Sequence, residues 1–398
     1  MRKTLPNIMQ DLLHLHYVLH DLSPNWNDTE LPINHTCAII IKDFYGAEVK
    51  MTKVVVGMSG GVDSAVAAYL LKQQGFEVTG VTLRTLGSES ADEEDARHTC
   101  ELLGIEFLSY DCSTEFRECV IDPFINSYLK GKTPNPCIEC NRYIKFAMLE
   151  KAAAQIGAEK IATGHYAYLE KLENGRYTVR KASQNVKDQT YMLYKLTQEQ
   201  LAGTILPLGS FTKDEIRAMA ESAGLDIAHK GDSQDICFIP DGKHAQFIEE
   251  NTNRTTDGEG YFVDEAGNIL GKHGGIWNYT VGQRKGLGIA LGYPAFVLKI
   301  CPEDNTVVLG SESSVMCSSF VCDEVNYLSI DVPDPGTNIR CKVKARYHQP
   351  ERTATIEALE DGCVRVTLDE PVKGVAPGQS AVFYDEEGRV IGGGVIRK

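Results

Sequence analysis

The sequence of 398 residues predicts an α/β protein: a parallel-sheet domain, then a small β-rich middle module and a C-terminal antiparallel β-barrel. Three observations carry this. β-rich runs alternate with helical stretches from Met51 to about Gly164, and from about Asn251 the chain changes to short β runs and frequent glycines. The last stretch spaces its strands as antiparallel barrels or sandwiches do. The expected division is 1–50 as an irregular extension, 51–250 as the parallel-sheet domain, 251–315 as the central module and 316–398 as the barrel.

In the first domain the strands are Lys53–Met58, Val78–Arg84, Glu106–Asp111 and Lys160–Thr163. The stretches Ser64–Gln74, Asp92–Leu103, Thr114–Leu129 and Arg142–Ile156 place apolar residues three to four apart, which predicts helices. Strand, helix, strand repeats imply right-handed crossovers in a parallel sheet, which takes ligands at its strands' carboxyl ends. A hairpin is expected across Tyr166–Ala182 around Asn174-Gly175, then a helical run Thr212–Ala223, a Cys-bearing loop Gly231–Pro240 and a helix from near His244. The middle module offers Tyr261–Val263, Phe296–Ile300 and Thr306–Leu309, and the last domain Ile339–Tyr347, Arg352–Leu359, Cys363–Leu368 and Ser380–Tyr384. Residues 1–50 show no sustained period, so a start placed upstream of a natural Met51 is preferred over a genuine extension.

Composition narrows the function. The 40 Lys+Arg and 55 Asp+Glu give a net charge of −15, so any nucleic acid must meet local basic patches rather than bulk attraction. Candidates are Lys130, Lys132, Arg142, Lys145, Arg284, Lys285, Lys342, Lys344 and Arg346. No run approaches the roughly 18 apolar residues of a spanning helix; the best, Cys37–Ile41, is far too short. Twelve cysteines without a secretory leader suggest reduced thiols and a cytoplasmic protein.

The segment Gly57-Met58-Ser59-Gly60-Gly61-Val62-Asp63-Ser64 follows a strand and precedes a helix. Small residues and free N–H groups at a positive helix end make an anion cradle. No lysine follows the glycines, so this is not a Walker A loop. The loop resembles that of the PP-loop ATP pyrophosphatases (adenine nucleotide alpha hydrolase-like fold), which hold the pyrophosphate of ATP while AMP passes to a substrate oxygen. The resemblance implies ATP, with Mg²⁺ neutralising the phosphates, and puts Leu83 and Gly164 beside the adenosine.

In Thr133-Pro134-Asn135-Pro136-Cys137-Ile138-Glu139-Cys140-Asn141-Arg142 two cysteines stand just ahead of a predicted helix, whose dipole, with Arg142, is expected to lower a thiol pKa and make Cys140 reactive. The pair equally suits half a zinc site or a redox couple, although no second C-x-x-C completes a four-Cys site. Taken alone, Cys237 reads as a buried core thiol.

With the phosphate loop, these stretches resemble the tRNA-specific 2-thiouridylases (the MnmA/TrmU family) over essentially Met51–Lys398. Ala162-Thr163-Gly164-His165-Tyr166, Lys187-Asp188-Gln189, Gly231–Ile239, Gly282–Gly288 and Pro377–Ser380 carry the likeness. It implies adenylation of the C2 oxygen of the wobble uridine and its replacement by sulfur, with Cys237 as the persulfide carrier, Cys140 as nucleophile and a Cys140–Cys237 disulfide left behind. It also assigns Asn135, Pro136, Cys137, His165, Lys187, Asp188, Gln189, Arg346, Tyr347 and Gln379 to tRNA contact, and implies a sulfur donor such as a cysteine desulfurase or relay protein. By spacing alone Tyr347 is equally a barrel-core residue.

One position departs from the pattern. The family often has Asp where this chain has Cys137, so Cys137, Cys140 and Cys237 could instead ligate a [4Fe–4S] cluster with one iron open to sulfide. Two rival functions remain at this level: another adenylator that amidates a small molecule, which has no use for paired thiols, and a non-enzymatic RNA-binding or cluster-carrying protein, which would release no pyrophosphate.

Overall fold

A computed structural model describes residues 51–86, 91–182, 187–230, 236–239, 242–252 and 258–397; the reading of residues 1–50 and of Gly231–Asp235 lies outside them. Strands β1 (Lys53–Gly57), β2 (Glu77–Arg84), β3 (Glu106–Asp111), β4 (Lys160–Ala162) and β7 (Thr204–Ile205) form one sheet in the order β3-β2-β1-β4-β7. Every pairing in it is parallel. Val54, Val55 and Val56 are fully buried, as expected of a central strand covered on both faces. The order reverses at β1, so the crevice for a ligand opens at the carboxyl ends of β1 and β4.

Helices α1 (Val62–Gln73) and α2 (Ala91–Leu103) match the sequence pattern. The next two are continuous but widened. α3 runs as Ser113–Phe116, a π turn Arg117–Ile121 and Asp122–Leu129. α4 runs as Pro136–Glu139, a π turn Cys140–Phe146 and Ala147–Ile156. The expected start of α4 at Arg142 is therefore too late: Asn135 caps it by accepting from the Cys137 N–H at 3.2 Å, and Pro136 takes the first-turn position that suits its missing N–H. Cys137 and Cys140 lie inside this helix.

The expected hairpin is β5 (Tyr168–Lys171) with β6 (Tyr177–Arg180). It is followed by α5 (Gln198–Ala202), α6 (Lys213–Ser222) and α7 (His244–Thr252). The middle module has β8 (Gly260–Val263), β9 (Ile269–His273), β10 (Phe296–Cys301) and β11 (Thr306–Gly310), in the order β10-β11-β8-β9. The last domain is a closed antiparallel barrel of six strands in the order β12-β15-β14-β13-β16-β17. These are β12 (Met316–Tyr327), β13 (Asn338–Lys344), β14 (Arg352–Ala358), β15 (Val364–Lys373), β16 (Ser380–Tyr384) and β17 (Val390–Ile396). Closure leaves no unpaired sheet edge. Sequence reading missed β7, β9, β12 and β17, and it ran β13 three residues too far, so Arg346 and Tyr347 stand in the turn beyond it. β17 is hidden by Gly392-Gly393-Gly394, a run that reads as a loop. There is no room for side chains: a Cβ at Gly393 would meet the Tyr194 ring at 2.6 Å and the Ala381 carbonyl at 2.8 Å.

Candidate active site

The phosphate loop is braced from within. Ser64 accepts from the Ser59 N–H at 3.1 Å and donates from its hydroxyl to the Gly61 carbonyl at 2.9 Å. Met58 donates its N–H to Val81 and accepts from the Thr82 hydroxyl, which ties the loop to the end of β2. Gly60 takes φ +67°, and a Cβ there would lie 2.2 Å from the Asp92 carbonyl oxygen at the start of α2. Only glycine fits that approach. Gly164, just past β4, runs equally close: its Cβ would lie 2.8 Å from the Asp63 carbonyl carbon. Leu83, at the end of β2, is half-buried against the core.

Asp63 gathers residues from far along the chain. Its Oδ1 accepts from the Tyr166 hydroxyl and from Lys213 Nζ, each at 2.6 Å, and Lys187 Nζ stands 3.5 Å from Oδ2. A third lysine, Lys230, donates to the Gly60 carbonyl at 3.0 Å and to Asp92 and Asp95 at 2.7 and 2.6 Å. Gln189 accepts from the Tyr166 N–H at 2.9 Å, while Asp188 accepts from the Thr190 N–H and hydroxyl. The first N–H groups of α1, which have no partner within the helix, and the ammonium groups beside them are a donor set that fits a polyphosphate. The sequence reading did not find Lys213 or Lys230. A capping box at Thr212 and Glu215 marks the start of α6, but nothing in the sequence links it to Asp63, 150 residues earlier.

The thiols share one neighbourhood. Cys140 is 8% exposed, and burial pushes its thiol up to about 12, opposite to the lowering expected from a helix end and Arg142. Desolvation outweighs the dipole here. The Arg142 guanidinium sits instead over the Tyr143 ring, and the cation that opposes burial at Cys137, Cys140 and Cys237 alike is Lys145. Cys237 is exposed, contrary to its reading as a core thiol, yet crowding by its surroundings raises its thiol too. Its position is fixed by Phe238, whose ring packs against Phe116, Phe124 and Phe247 at 5.3–5.6 Å. Cys140 packs in the same core cluster as Ile236 and Phe238, the residues on either side of Cys237, and one helical turn of α4 separates it from Cys137. Even so, among the described residues no three His, Cys, Asp or Glu side chains are placed to hold a metal ion. Among them the three-cysteine ligand set for a [4Fe–4S] cluster is not assembled.

The loop entering α4 touches the other modules. Thr133 donates its N–H to the Pro377 carbonyl at 2.8 Å, its carbonyl accepts from Gln379 at 2.9 Å, and its hydroxyl meets that of Thr280 at 3.2 Å. Beside it lies a cavity of about 370 Å³ lined by Phe124, Lys132, Asn135, Glu139, Tyr143 and Gly378 among others. Of the residues assigned to tRNA by resemblance, Tyr347 is half-buried, its hydroxyl 3.4 Å from the Asp188 carbonyl and its ring under the Lys344 ammonium. Arg346 donates to the Val281 carbonyl at 2.6 Å. His165 is buried, its Nδ1 2.8 Å from the Thr163 hydroxyl, and burial, with Lys145, lowers its pKa to about 3. Pro136 is buried as well.

A glycine loop at the reversal of a parallel sheet, with lysines converging on it, defines a phosphate-loop α/β protein, here joined to a β module and a closed barrel. The model of the tRNA methyl transferase HUP domain matches residues 52–241, that of the tRNA methyl transferase PRC-barrel domain 245–311, and that of the Aminomethyltransferase beta-barrel domain 318–396. The tRNA-specific 2-thiouridylase MnmA of Clostridioides difficile is 46% identical over 87% of this chain and 98% of its own length. That of Acetivibrio thermocellus is 48% identical over 87% and 99%. A solved 4-thiouridine synthetase, in an RNA complex with bound ATP, is 20% identical over 51% of this chain and 50% of its own, with a TM-score of 0.31. The chain belongs to the tRNA-specific 2-thiouridylase MnmA family.

Proposed function

We propose that this protein is a tRNA-specific 2-thiouridylase: it adenylates the C2 oxygen of the wobble uridine with ATP and replaces that oxygen with sulfur, releasing AMP and pyrophosphate. The observation that carries the reading is the kinship with 2-thiouridylases over nearly their whole length, in a chain where Cys140 packs in one core cluster with the residues flanking Cys237.

A carbonyl oxygen is a poor leaving group and AMP a good one, which is the reason for consuming ATP. The uridine oxygen attacks the α-phosphorus and pyrophosphate departs into the N–H groups of the Ser59–Ser64 loop. Mg²⁺, when bound with ATP, would supply further charge neutralisation. The outer sulfur of a Cys237 persulfide then attacks C2 and expels AMP. Cys140 attacks the inner sulfur, so the outer one stays on the base and a Cys140–Cys237 disulfide forms, with its two electrons in the thiocarbonyl. A thiol reductant resets the pair, and a cysteine desulfurase or relay protein reloads Cys237. No helix among the described residues is long and apolar enough to cross a membrane.

In this reading Asn135 and Cys137 face the target base and Lys187–Gln189, Arg346, Tyr347 and Gln379 shape the tRNA-binding surface, while the buried Pro136 and His165 support the backbone beneath it. The domain limits are 51–250, 251–315 and 316–398. The test is sulfur incorporation into unmodified tRNA, scored by retardation in a mercury gel beside pyrophosphate release, with sulfide or a desulfurase as donor. Thiolated tRNA with pyrophosphate supports the proposal, and its loss in Cys140→Ser and Cys237→Ser supports the roles given. Pyrophosphate released on a small-molecule amide acceptor, with no effect of tRNA, would replace it.

A further inference from the structure

The loop Gly57–Ser64 has no lysine, yet a departing pyrophosphate needs a cation close to its oxygens. The fold supplies cations from elsewhere. Lys213 and Lys187 converge on Asp63, and Lys213 is the closer, at 2.6 Å against 3.5 Å. The Lys213 side chain is 15% exposed, and its backbone is fixed at the first residue of α6 by the reciprocal cap between Thr212 and Glu215. Lys230 has a different task, since its ammonium bridges the Gly60 carbonyl, Asp92 and Asp95 and so secures the loop's outer side.

We propose that Lys213 is the pyrophosphate-binding cation of this loop. Without nucleotide its ammonium rests on Asp63; with ATP bound it turns, through side-chain torsions alone, to the non-bridging oxygens of the β- and γ-phosphoryl groups, and it holds them as pyrophosphate leaves. Tyr166 remains on Asp63 Oδ1 and keeps the carboxylate in place during the exchange. Lysine acts here as a point charge on a flexible stem, which suits a group that must change partners. The inference rests on the ATP-dependent reading above.

The test compares wild type, Lys213→Met, Lys213→Gln and Lys213→Arg for tRNA-dependent pyrophosphate release, and for inhibition by added pyrophosphate and by AMP. Gln keeps a donor for Asp63 without the charge, and thermal midpoints show that each variant folds. If wild type releases no pyrophosphate, the ATP reading itself fails. If it does, Met and Gln are expected to need about tenfold more ATP and more inhibitory pyrophosphate, the scale of one charged hydrogen bond, with AMP inhibition unchanged and Arg recovering part of the loss. Equal shifts for pyrophosphate and AMP would mean that Lys213 only positions Asp63, and no shift would mean that it serves neither; both overturn the proposal.

Discussion

The side-chain amide of Gln379 donates to the carbonyl of Thr133 at 2.9 Å, across 246 residues of sequence. With the Thr133 N–H on the Pro377 carbonyl, this pins the entrance of the Cys137–Cys140 helix to the barrel. A Cβ on Gly378, at φ +89°, would lie 2.9 Å from Thr133 N, so the two backbones are in contact. Gln379→Ala leaves a buried carbonyl unpaired and is expected to cost about 0.5–1.5 kcal/mol in denaturant unfolding. Thiolation kcat should fall several-fold while half-saturation by ATP stays put. If Gln379 served only as a tRNA contact, stability would be unchanged and the KM for tRNA alone would rise.

Gly164→Ala tests the close approach of β4 to the phosphate loop. The new methyl would lie 2.8–3.0 Å from backbone atoms of Asp63 and Ser64, and backbone cannot rotate away as a side chain can. Overpacking of this kind costs about 1–3 kcal/mol and should displace the loop enough to cut pyrophosphate release by roughly tenfold. Gly157→Ala is the comparison: φ is +67° but nothing lies within 4 Å. Its strain of about 1–2 kcal/mol should lower stability while leaving catalysis intact. Equal catalytic losses in the two variants would refute the steric argument.

The local parts of this molecule were legible because short-range physics decides them. β1, the glycine loop and α1 show in sequence as an apolar run, small residues and a helical period, and Glu106–Asp111 is recovered to the residue. What lay hidden depends on tertiary placement. Cys140 reads as an activated thiol because the helix end is visible in sequence and the burial is not. Lys213 reads as one more surface lysine until the chain folds it onto Asp63. In the same way Gly392–Gly394 signals a loop, although the nearness of Tyr194 and of β12 and β16 makes it a strand.

Thiol reactivity should follow burial rather than helix polarity. With Cys140 pushed up to about 12, only about 10⁻⁴ of it is thiolate at pH 8, whereas Cys237 is exposed and less strongly raised. Peptide mass spectrometry after brief iodoacetamide treatment should find Cys237 alkylated well ahead of Cys140 from pH 7 to 10, each rate rising about tenfold per pH unit below its pKa. Lys145→Met should slow labelling at both, because Lys145 is the cation favouring both thiolates. Faster labelling of Cys140 than of Cys237 at pH 8 would show that the helix end prevails after all.

His165 sets the acid limit of the fold. Burial lowers its pKa from 6.5 to about 3, so the folded protein keeps the ring neutral while the unfolded chain takes up a proton below about pH 6.5. The unfolded state then binds more protons, and stability falls as pH drops from about 6.5 towards 3, by up to about 1.4 kcal/mol per pH unit from this group. Above pH 6.5 both states are neutral at this position and the contribution is flat. His165→Asn should lower stability at pH 7 by losing ring packing against Phe146, yet flatten the acid arm by up to one proton in urea unfolding followed against pH. The slope separates the two effects, since lost packing shifts the whole curve and lost proton uptake changes only its acid side. An unchanged slope would mean that the folded protein already accepts the proton at His165, through a ring that water can reach.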